Sequence, residues 1–160
     1  MSELECLVIM PFDRSFDDVF ATVKHAVESA VPGQTIHCTW LKDIQAAGRI
    51  TDDIVNGIER AGFCISDLTG SNPNVMWETG YAMASRKPTI LISQAVATLP
   101  FDLLIHRVHE YDPAALTDLA PNLPQAVRDT LSRYGVVPEW HLIGVSVRLH
   151  LVCSGVAASA

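Results

Sequence analysis

The chain lacks any run of basic residues, and this excludes one large class of partner. Lys and Arg number 11 against 18 Asp and Glu in 160 residues, so the formal net charge is −7. Proteins that bind a nucleic-acid backbone neutralise its phosphates with a basic face, which this composition does not supply. A small anionic ligand remains compatible, because a helix N-terminus can hold an anion without nearby basic side chains. We therefore expect a small-molecule partner and no nucleic acid.

The sequence also shows no long apolar run and no pattern typical of a secretory leader. No apolar stretch approaches the ~20 residues that a membrane-spanning helix needs. The first ten residues, MSELECLVIM, carry acids where a signal peptide carries bases. The sequence has four cysteines, Cys6, Cys38, Cys64 and Cys153, and no CxxC pair. Cysteines scattered in this way are typical of buried thiols in a reducing compartment. These features predict a cytoplasmic protein that does not contact a membrane.

Signatures of bound cofactors and metals are absent as well. The sequence has no glycine-rich phosphate cradle of the P-loop or dinucleotide type, and no GxSxG element. His106 and His109 lack a Cys or carboxylate at metal-site spacing. We therefore expect no cofactor and no metal. Apolar residues make up 49% of the chain and charged residues 18%. This balance predicts a single globular domain that spans residues 1–160, with its core at about 4–134.

Strand and helix patterns alternate along the chain. Short apolar runs predict buried strands at 4–10, 35–41, 63–66, 89–93 and 108–111. Periodicity and capping signals predict helices that start at Ser15 and at 50, 73 and 113, the last interrupted near its prolines. This order indicates an α/β fold, a flavodoxin-like open parallel sheet of about five strands with helices on both faces. Alternating apolar residues at 143–153 predict a further C-terminal strand, which adds to the sheet edge or pairs with another subunit.

The stretch 63–81, FCISDLTGSNPNVMWETGY, carries the main functional signal. A short strand ends near Asp67, Asn72 with Pro73 forms a strong helix start, and Glu78 follows in the second turn. Open α/β sheets bind ligands beyond the carboxyl ends of their strands, so we expect both carboxylates at the site. The same topology predicts that other residues following the strands line it, namely Pro11, Phe12, Asp13, Asp43, Gly48, Asn72, Asn74 and Gln94.

Each carboxylate has a functional and a structural interpretation. A helix N-terminus favours the ionised form of Glu78, and an ionised carboxylate can attack or stabilise an anomeric carbon. Glu78 could instead be a solvated helix acid. Asp67 could cap the turn that follows it, or could bind sugar hydroxyls or act on a leaving base. Trp77 and Tyr81 could border the pocket or belong to the core.

The motif DLTGSNPNVMWETGYA, preceded by VIMPFDRSFDDVF, resembles the nucleoside 2-deoxyribosyltransferase-like family. This family belongs to a superfamily that includes nucleotide N-glycosidases and Toll/interleukin-receptor-like (TIR-like) NAD-cleaving domains. The resemblance spans about residues 7–111 and includes KPTILIS and LPFDL. The E-x-G-x-A motif of the family matches residues 78–82, so the resemblance implies that Glu78 is the nucleophile. It also implies a flavodoxin-like fold, a loop at Phe12 that holds base or phosphate, and a homo-oligomer in which a neighbouring subunit completes the site.

Two positions differ from the pattern of that family. Asn72-Pro73-Asn74 stands where the transferases often have a further acid, and Lys42-Asp43 stands where relatives often show Arg-x-Asp. The leading hypothesis is N-glycosidic bond cleavage or transfer on a nucleoside or nucleotide, with Glu78 at the anomeric carbon and Asp67 orienting the sugar or assisting the leaving base. One alternative is a TIR-like NAD hydrolase in signalling or defence. The other is a nucleotide-sensing module without catalysis.

Overall fold

The computed structural model describes residues 3–44 and 50–136. Its strands are β1 (Glu3–Ile9), β2 (Thr35–Trp40), β3 (Phe63–Asp67), β4 (Thr89–Ser93) and β5 (Val108–Glu110). Its α-helices are α1 (Asp17–Glu28), α2 (Ile50–Arg60), α3 (Pro73–Ala84) and α4 (Leu119–Arg133). Gly48 and the predicted C-terminal strand at 143–153 lie outside the described residues.

The five strands form one parallel sheet in the order β2-β1-β3-β4-β5. This order reverses direction after β1, as in flavodoxin-like folds, and it confirms the predicted fold class. β3 lies in the middle of the sheet and is buried along its whole length. Asp67 at its end pairs in register with Ile92 of β4. The ends of β3, β4 and β5 therefore meet at one edge of the sheet, where this fold class binds ligands.

Helices cover both faces of the sheet. α1 packs against α4 and β2, whereas α2 packs against α3. Right-handed crossover connections place these two pairs on opposite faces. The inner side of α1 buries Val19, Val23 and Val27, as its helical periodicity predicts. None of the helices in the described part of the chain is long and apolar enough to cross a membrane.

The cysteines that the structure describes are core residues. Cys6, Cys38 and Cys64 are buried free thiols, while Cys153 lies outside the described residues. Burial raises the pKa of the Cys64 thiol to about 12. A thiol must be deprotonated to act as a nucleophile, so Cys64 has the packing role of a small apolar side chain.

Two predicted helix starts are wrong, each for a local reason. Asp13, not Ser15, caps the first helical segment, because its carboxylate accepts hydrogen bonds from the Ser15 backbone N–H at 2.8 Å and from the Ser15 hydroxyl at 2.6 Å. A short 3-10 helix (Arg14–Phe16) then leads into α1 at Asp17. The last helix begins at Leu119 instead of 113, after a turn in which Asp112 accepts from the Ala114 N–H. It continues through Pro124 without the predicted break.

Candidate functional site

The junction between β3 and α3 holds the two carboxylates that the sequence singles out. β3 ends at Asp67, a 3-10 turn (Thr69–Ser71) follows, and α3 begins at Pro73. The Asn72 side-chain oxygen accepts hydrogen bonds from the backbone N–H groups of Asn74 at 3.0 Å and Val75 at 3.4 Å. These bonds satisfy two helix N–H groups that lack partners within the helix. The predicted cap at Asn72 and first helical residue at Pro73 are confirmed.

Glu78 is buried in the second turn of α3. Its relative exposure is only 4%, and within residues 3–44 and 50–136 its carboxylate has no hydrogen bond and no ion pair. Burial raises its pKa to about 7. Burial therefore disfavours the ionised form of Glu78, whereas the sequence alone suggested that the helix N-terminus would favour it. A solvated helix acid is excluded as an interpretation of Glu78.

Two buried hydroxyl groups beside Glu78 tie α3 to β3. The Thr79 hydroxyl donates to the Val75 carbonyl at 2.6 Å, so its single proton is used within the helix. The contact between the Ser66 and Thr79 hydroxyls must then have Ser66 as donor. Sequence reasoning did not include either residue in the site. Their bond fixes the helix position from which Glu78 projects.

Asp67 is fully buried and its carboxylate is occupied by protein groups. Oδ1 accepts from the Thr69 backbone N–H at 3.0 Å and from the Thr69 hydroxyl at 2.5 Å. Oδ2 accepts from the Tyr111 hydroxyl at 2.6 Å. Burial raises the pKa of Asp67, and these hydrogen bonds oppose the rise. Of the two interpretations from sequence, the structure shows the cap of the turn.

Tyr111 and Gln94 close a hydrogen-bonded ring around Asp67. The Gln94 side-chain Nε2 donates to the Tyr111 hydroxyl at 3.0 Å, and the Gln94 backbone N–H donates to the Thr69 hydroxyl at 3.0 Å. We call Asp67, Thr69, Gln94 and Tyr111 the carboxyl-edge ring. Burial and the adjacent Asp67 charge raise the pKa of Tyr111, which keeps the phenol protonated.

Two ring members, Thr69 and Tyr111, are not among the residues that the sequence predicted for the site, and Tyr111 is the one that comes from a distant element. It is 3% exposed and follows β5, whereas the sequence placed it at the end of a strand with no role in the site. The available signal was its position after a strand in a parallel sheet, since such residues reach the ligand edge. Gln94, which was predicted on that signal, is part of the ring.

The loop after β1 lies open to solvent. Phe12 is 59% exposed, and Pro11 before it is half-buried. Asp13 is exposed and caps the turn through Ser15, whose hydrogen bonds lower the pKa of the Asp13 carboxyl. This loop therefore exposes the aromatic side chain of Phe12 to solvent, while the Asp13 carboxylate caps the local turn.

Those of the remaining predicted residues that the structure describes make no hydrogen bond to the carboxyl-edge ring. Asp43 is exposed in a short 3-10 helix (Leu41–Asp43) after β2. Asn74 is exposed in the first turn of α3. The Tyr81 hydroxyl donates to Glu59 of α2 at 2.7 Å, and its ring stacks on Trp77 with centroids 5.8 Å apart. Tyr81 is thus engaged with α2, and Trp77, at 51% exposure, is not a core residue.

A separate groove of about 980 Å³ lies between the end of α3, the strands β4 and β5, and α4. Neither Glu78 nor Asp67 lines it. Its walls are polar and charged on both signs, with Arg86, Asp118 and Arg133 among them. The candidate site around Glu78 is therefore not part of this groove.

The fold is shared with two solved enzymes. A 2-deoxyribosyltransferase from Bacillus psychrosaccharolyticus superposes with a TM-score of 0.53 and 15% identity, over 70% of this chain and 95% of that one. A 2-deoxyribosyltransferase from Leishmania mexicana superposes with a TM-score of 0.50 and 17% identity, over 74% of this chain and 97% of that one. This chain has the fold of the 2-deoxyribosyltransferases.

The resemblance drawn from the sequence motif is confirmed at the level of fold. The described sheet with its flanking helices carries the likeness, since both transferases are covered almost over their full length. No protein-family model matches the sequence, and comparison with the curated proteins gives no match either. The roles of individual residues therefore rest on the geometry of this chain.

Proposed function

We propose that this chain cleaves or transfers the N-glycosidic bond of a nucleoside or nucleotide, with Glu78 acting at the anomeric carbon of the sugar. The observation that carries the proposal is the buried Glu78 carboxylate, which lacks a partner in the described ranges 3–44 and 50–136. Burying such a group costs stability, and groups of this kind concentrate at functional sites. The likeness to 2-deoxyribosyltransferases, one of them described as a biocatalyst for nucleoside synthesis, supports the same class of bond.

The chemistry needs one carboxylate below the sugar ring. As the bond between sugar and base breaks, its electron pair leaves with the base and positive charge develops on the anomeric carbon. Ionised Glu78 stabilises that charge or bonds to the carbon. The departing base takes up a proton. Water in hydrolysis, or a second base in transfer, then bonds to the anomeric carbon and loses a proton. Where Glu78 has bonded to that carbon, the bond breaks in this step and its electron pair returns to the carboxylate.

Other residues are assigned supporting roles in this proposal. Asp67 is a positioning residue, because its oxygens are occupied by Thr69 and Tyr111 and it has no exposed surface. Phe12, exposed after β1, is proposed to stack on the base, since every base offers a flat apolar face. Asn74 would contact the ligand at the helix start.

The test is loss of turnover when Glu78 is replaced. Glu78→Ala and Glu78→Gln are expected to release no free base from nucleosides, nucleotides or NAD in a chromatographic assay, while circular dichroism shows a folded chain. Glu5→Gln is the matched control, since Glu5 is an exposed glutamate on β1. Base release by either Glu78 variant at the wild-type rate would refute the proposed role.

The same assay, together with a measurement of nucleotide binding, separates the other hypotheses. Nicotinamide release from NAD, with none from nucleosides, would indicate NAD hydrolysis. Nucleotide binding that survives Glu78→Gln, with no product from the wild-type chain, would indicate a sensing module. Glu78-dependent base release from nucleosides or nucleotides supports the proposed reaction.

A further inference from the structure

We propose that Gln94 presents its side-chain carbonyl oxygen to the substrate as a fixed hydrogen-bond acceptor, and that Tyr111 and Asp67 hold it in this orientation. The site would then prefer substrates that offer a donor at that point, either a base amino group or a sugar hydroxyl. The inference rests on the proposed function, because it describes how the same site selects its nucleoside.

The argument begins at Asp67, where three donors converge on one carboxyl group. They are the Thr69 N–H, the Thr69 hydroxyl and the Tyr111 hydroxyl. Donors in this number stabilise the ionised form, and an ionised carboxylate can only accept. The single proton of Tyr111 is therefore committed to Oδ2 of Asp67, at 2.6 Å.

This commitment decides the orientation of the Gln94 amide. With its proton on Asp67, the Tyr111 oxygen can only accept, so the amide group 3.0 Å away must face it with Nε2. The backbone N–H of Gln94 is also held, because it donates to the Thr69 hydroxyl at 3.0 Å. A flipped amide would place two oxygens against each other without a proton between them.

The carbonyl oxygen of Gln94 is left over by this arrangement. Within residues 3–44 and 50–136 it has no hydrogen-bond donor, and the side chain is half-exposed. Gln94 directly follows β4, beside Asp67 at the carboxyl edge of the sheet. The edge therefore carries an acceptor of fixed orientation where this fold class binds ligands.

A fixed acceptor discriminates between substrates that have similar shapes. A ligand donor gains a hydrogen bond there, whereas an oxo group in the same place faces an oxygen and leaves both unsatisfied. Adenosine and inosine differ in this way, as do cytidine and uridine. Adenosine and 2′-deoxyadenosine differ instead by one sugar hydroxyl, so the three pairs together distinguish a base donor from a sugar donor.

The experiment measures Kd by calorimetry, and kcat/KM where turnover occurs, for the three pairs. The wild-type chain is expected to favour the donor-bearing member of at least one pair by about tenfold, the effect of ~1.4 kcal/mol. Gln94→Met keeps the side-chain length without the acceptor and is expected to bring that ratio close to one. Tyr111→Phe keeps the acceptor but releases the amide, and is expected to lower the ratio at least about threefold.

The control and the outcomes separate this inference from a structural role and from the proposed reaction. Gln125→Met, at an exposed glutamine of α4, should leave the ratio unchanged. If Gln94 had only a structural role, its replacement would weaken the binding of all substrates equally. An unchanged preference ratio in Gln94→Met, with Glu78-dependent cleavage intact, therefore refutes this inference and leaves the proposed reaction standing.

If Gln94→Met loses the preference in binding while no chain cleaves any substrate, the result supports the inference and refutes the proposed reaction. A wild-type chain that does not discriminate, or binds no nucleoside, overturns the inference. If Tyr111→Phe does not fold, Gln94→Met decides, because it leaves the Tyr111–Asp67 bond in place.

Discussion

Glu78 and Asp67 are two buried carboxylates of one strand–helix junction, and they differ in the hydrogen-bond donors around them. Asp67 is surrounded by donors and serves the local structure. Glu78 has no such partners in the described part of the chain, and its pKa is about 7. A carboxylate that is buried without compensation weakens the fold, and the proposed role of Glu78 at the anomeric carbon would account for this cost.

Glu78 should make stability depend on pH in a defined direction. Its pKa rises from 4.5 unfolded to about 7 folded, so the folded chain binds the proton more tightly. Stability is then full below about pH 4.5, falls as pH rises from there to about 7, and levels off above that pH. Glu78→Gln removes this loss. We expect the variant to be more stable than wild type at pH 8 and similar at pH 4.5, by urea unfolding. Equal pH dependence in both chains would contradict the assigned burial.

The same pKa predicts the pH profile of turnover. The proposed reaction uses the ionised carboxylate, so kcat/KM should rise as Glu78 loses its proton and level off above about pH 8. Rates measured from pH 5 to 9 on a nucleoside that is cleaved will test this. A rate that falls over the range in which Glu78 ionises would indicate that the protonated acid is the active form.

At the scale of elements, the start of α3 decides where Glu78 lies. Asn72 caps the helix, and the Ser66 and Thr79 hydroxyls join its second turn to β3. The cap residues and Pro73 are local signals, so the sequence predicted this helix start correctly. The contact between the Ser66 and Thr79 hydroxyls joins two different elements, so no local sequence pattern predicts it.

Removal of the Asn72 cap gives the prediction at this scale. Asn72→Ala should lower the free energy of unfolding by about 1 kcal/mol, because two helix N–H groups lose their acceptor. Asn72→Asp keeps an acceptor and should cost far less. Asn74→Ala, whose exposed side chain makes no bond to the cap, is the matched control. Similar losses for the alanine variants in chemical unfolding would show that the cap is not the cause.

At the scale of the whole molecule, apolar side chains remain on the surface of the described part. Phe101 is 77% exposed and Ile105 is 82% exposed, both between β4 and β5, and Phe12 is exposed after β1. Phe101 and Ile105 belong to the same connection between β4 and β5, and exposed apolar groups that lie together mark interaction surfaces. The homo-oligomer implied by the family resemblance stays a prediction, as do the single-domain organisation and the cytoplasmic location.

Mass in solution tests the homo-oligomer. Light scattering after gel filtration should give a multiple of 17.4 kDa. Ile105→Glu places a charge in the exposed loop and should shift the mass towards one chain if that loop lies in the contact. Ala97→Glu, at another exposed position, is the control. A wild-type mass of one chain would refute the assembly.

Sequence alone determined the order of strands and helices and the α3 cap, and it singled out Glu78 as the candidate residue, because periodicity, capping and motif spacing act over a few residues. It could not decide between the two roles of Asp67, since Tyr111 approaches from 44 positions away in the chain. It also suggested an ionised Glu78, because the helix end is a local feature while burial depends on everything packed around the side chain. Only the tertiary structure brought together the carboxyl-edge ring and the desolvation of Glu78, because distant strands must first align at one edge of the sheet.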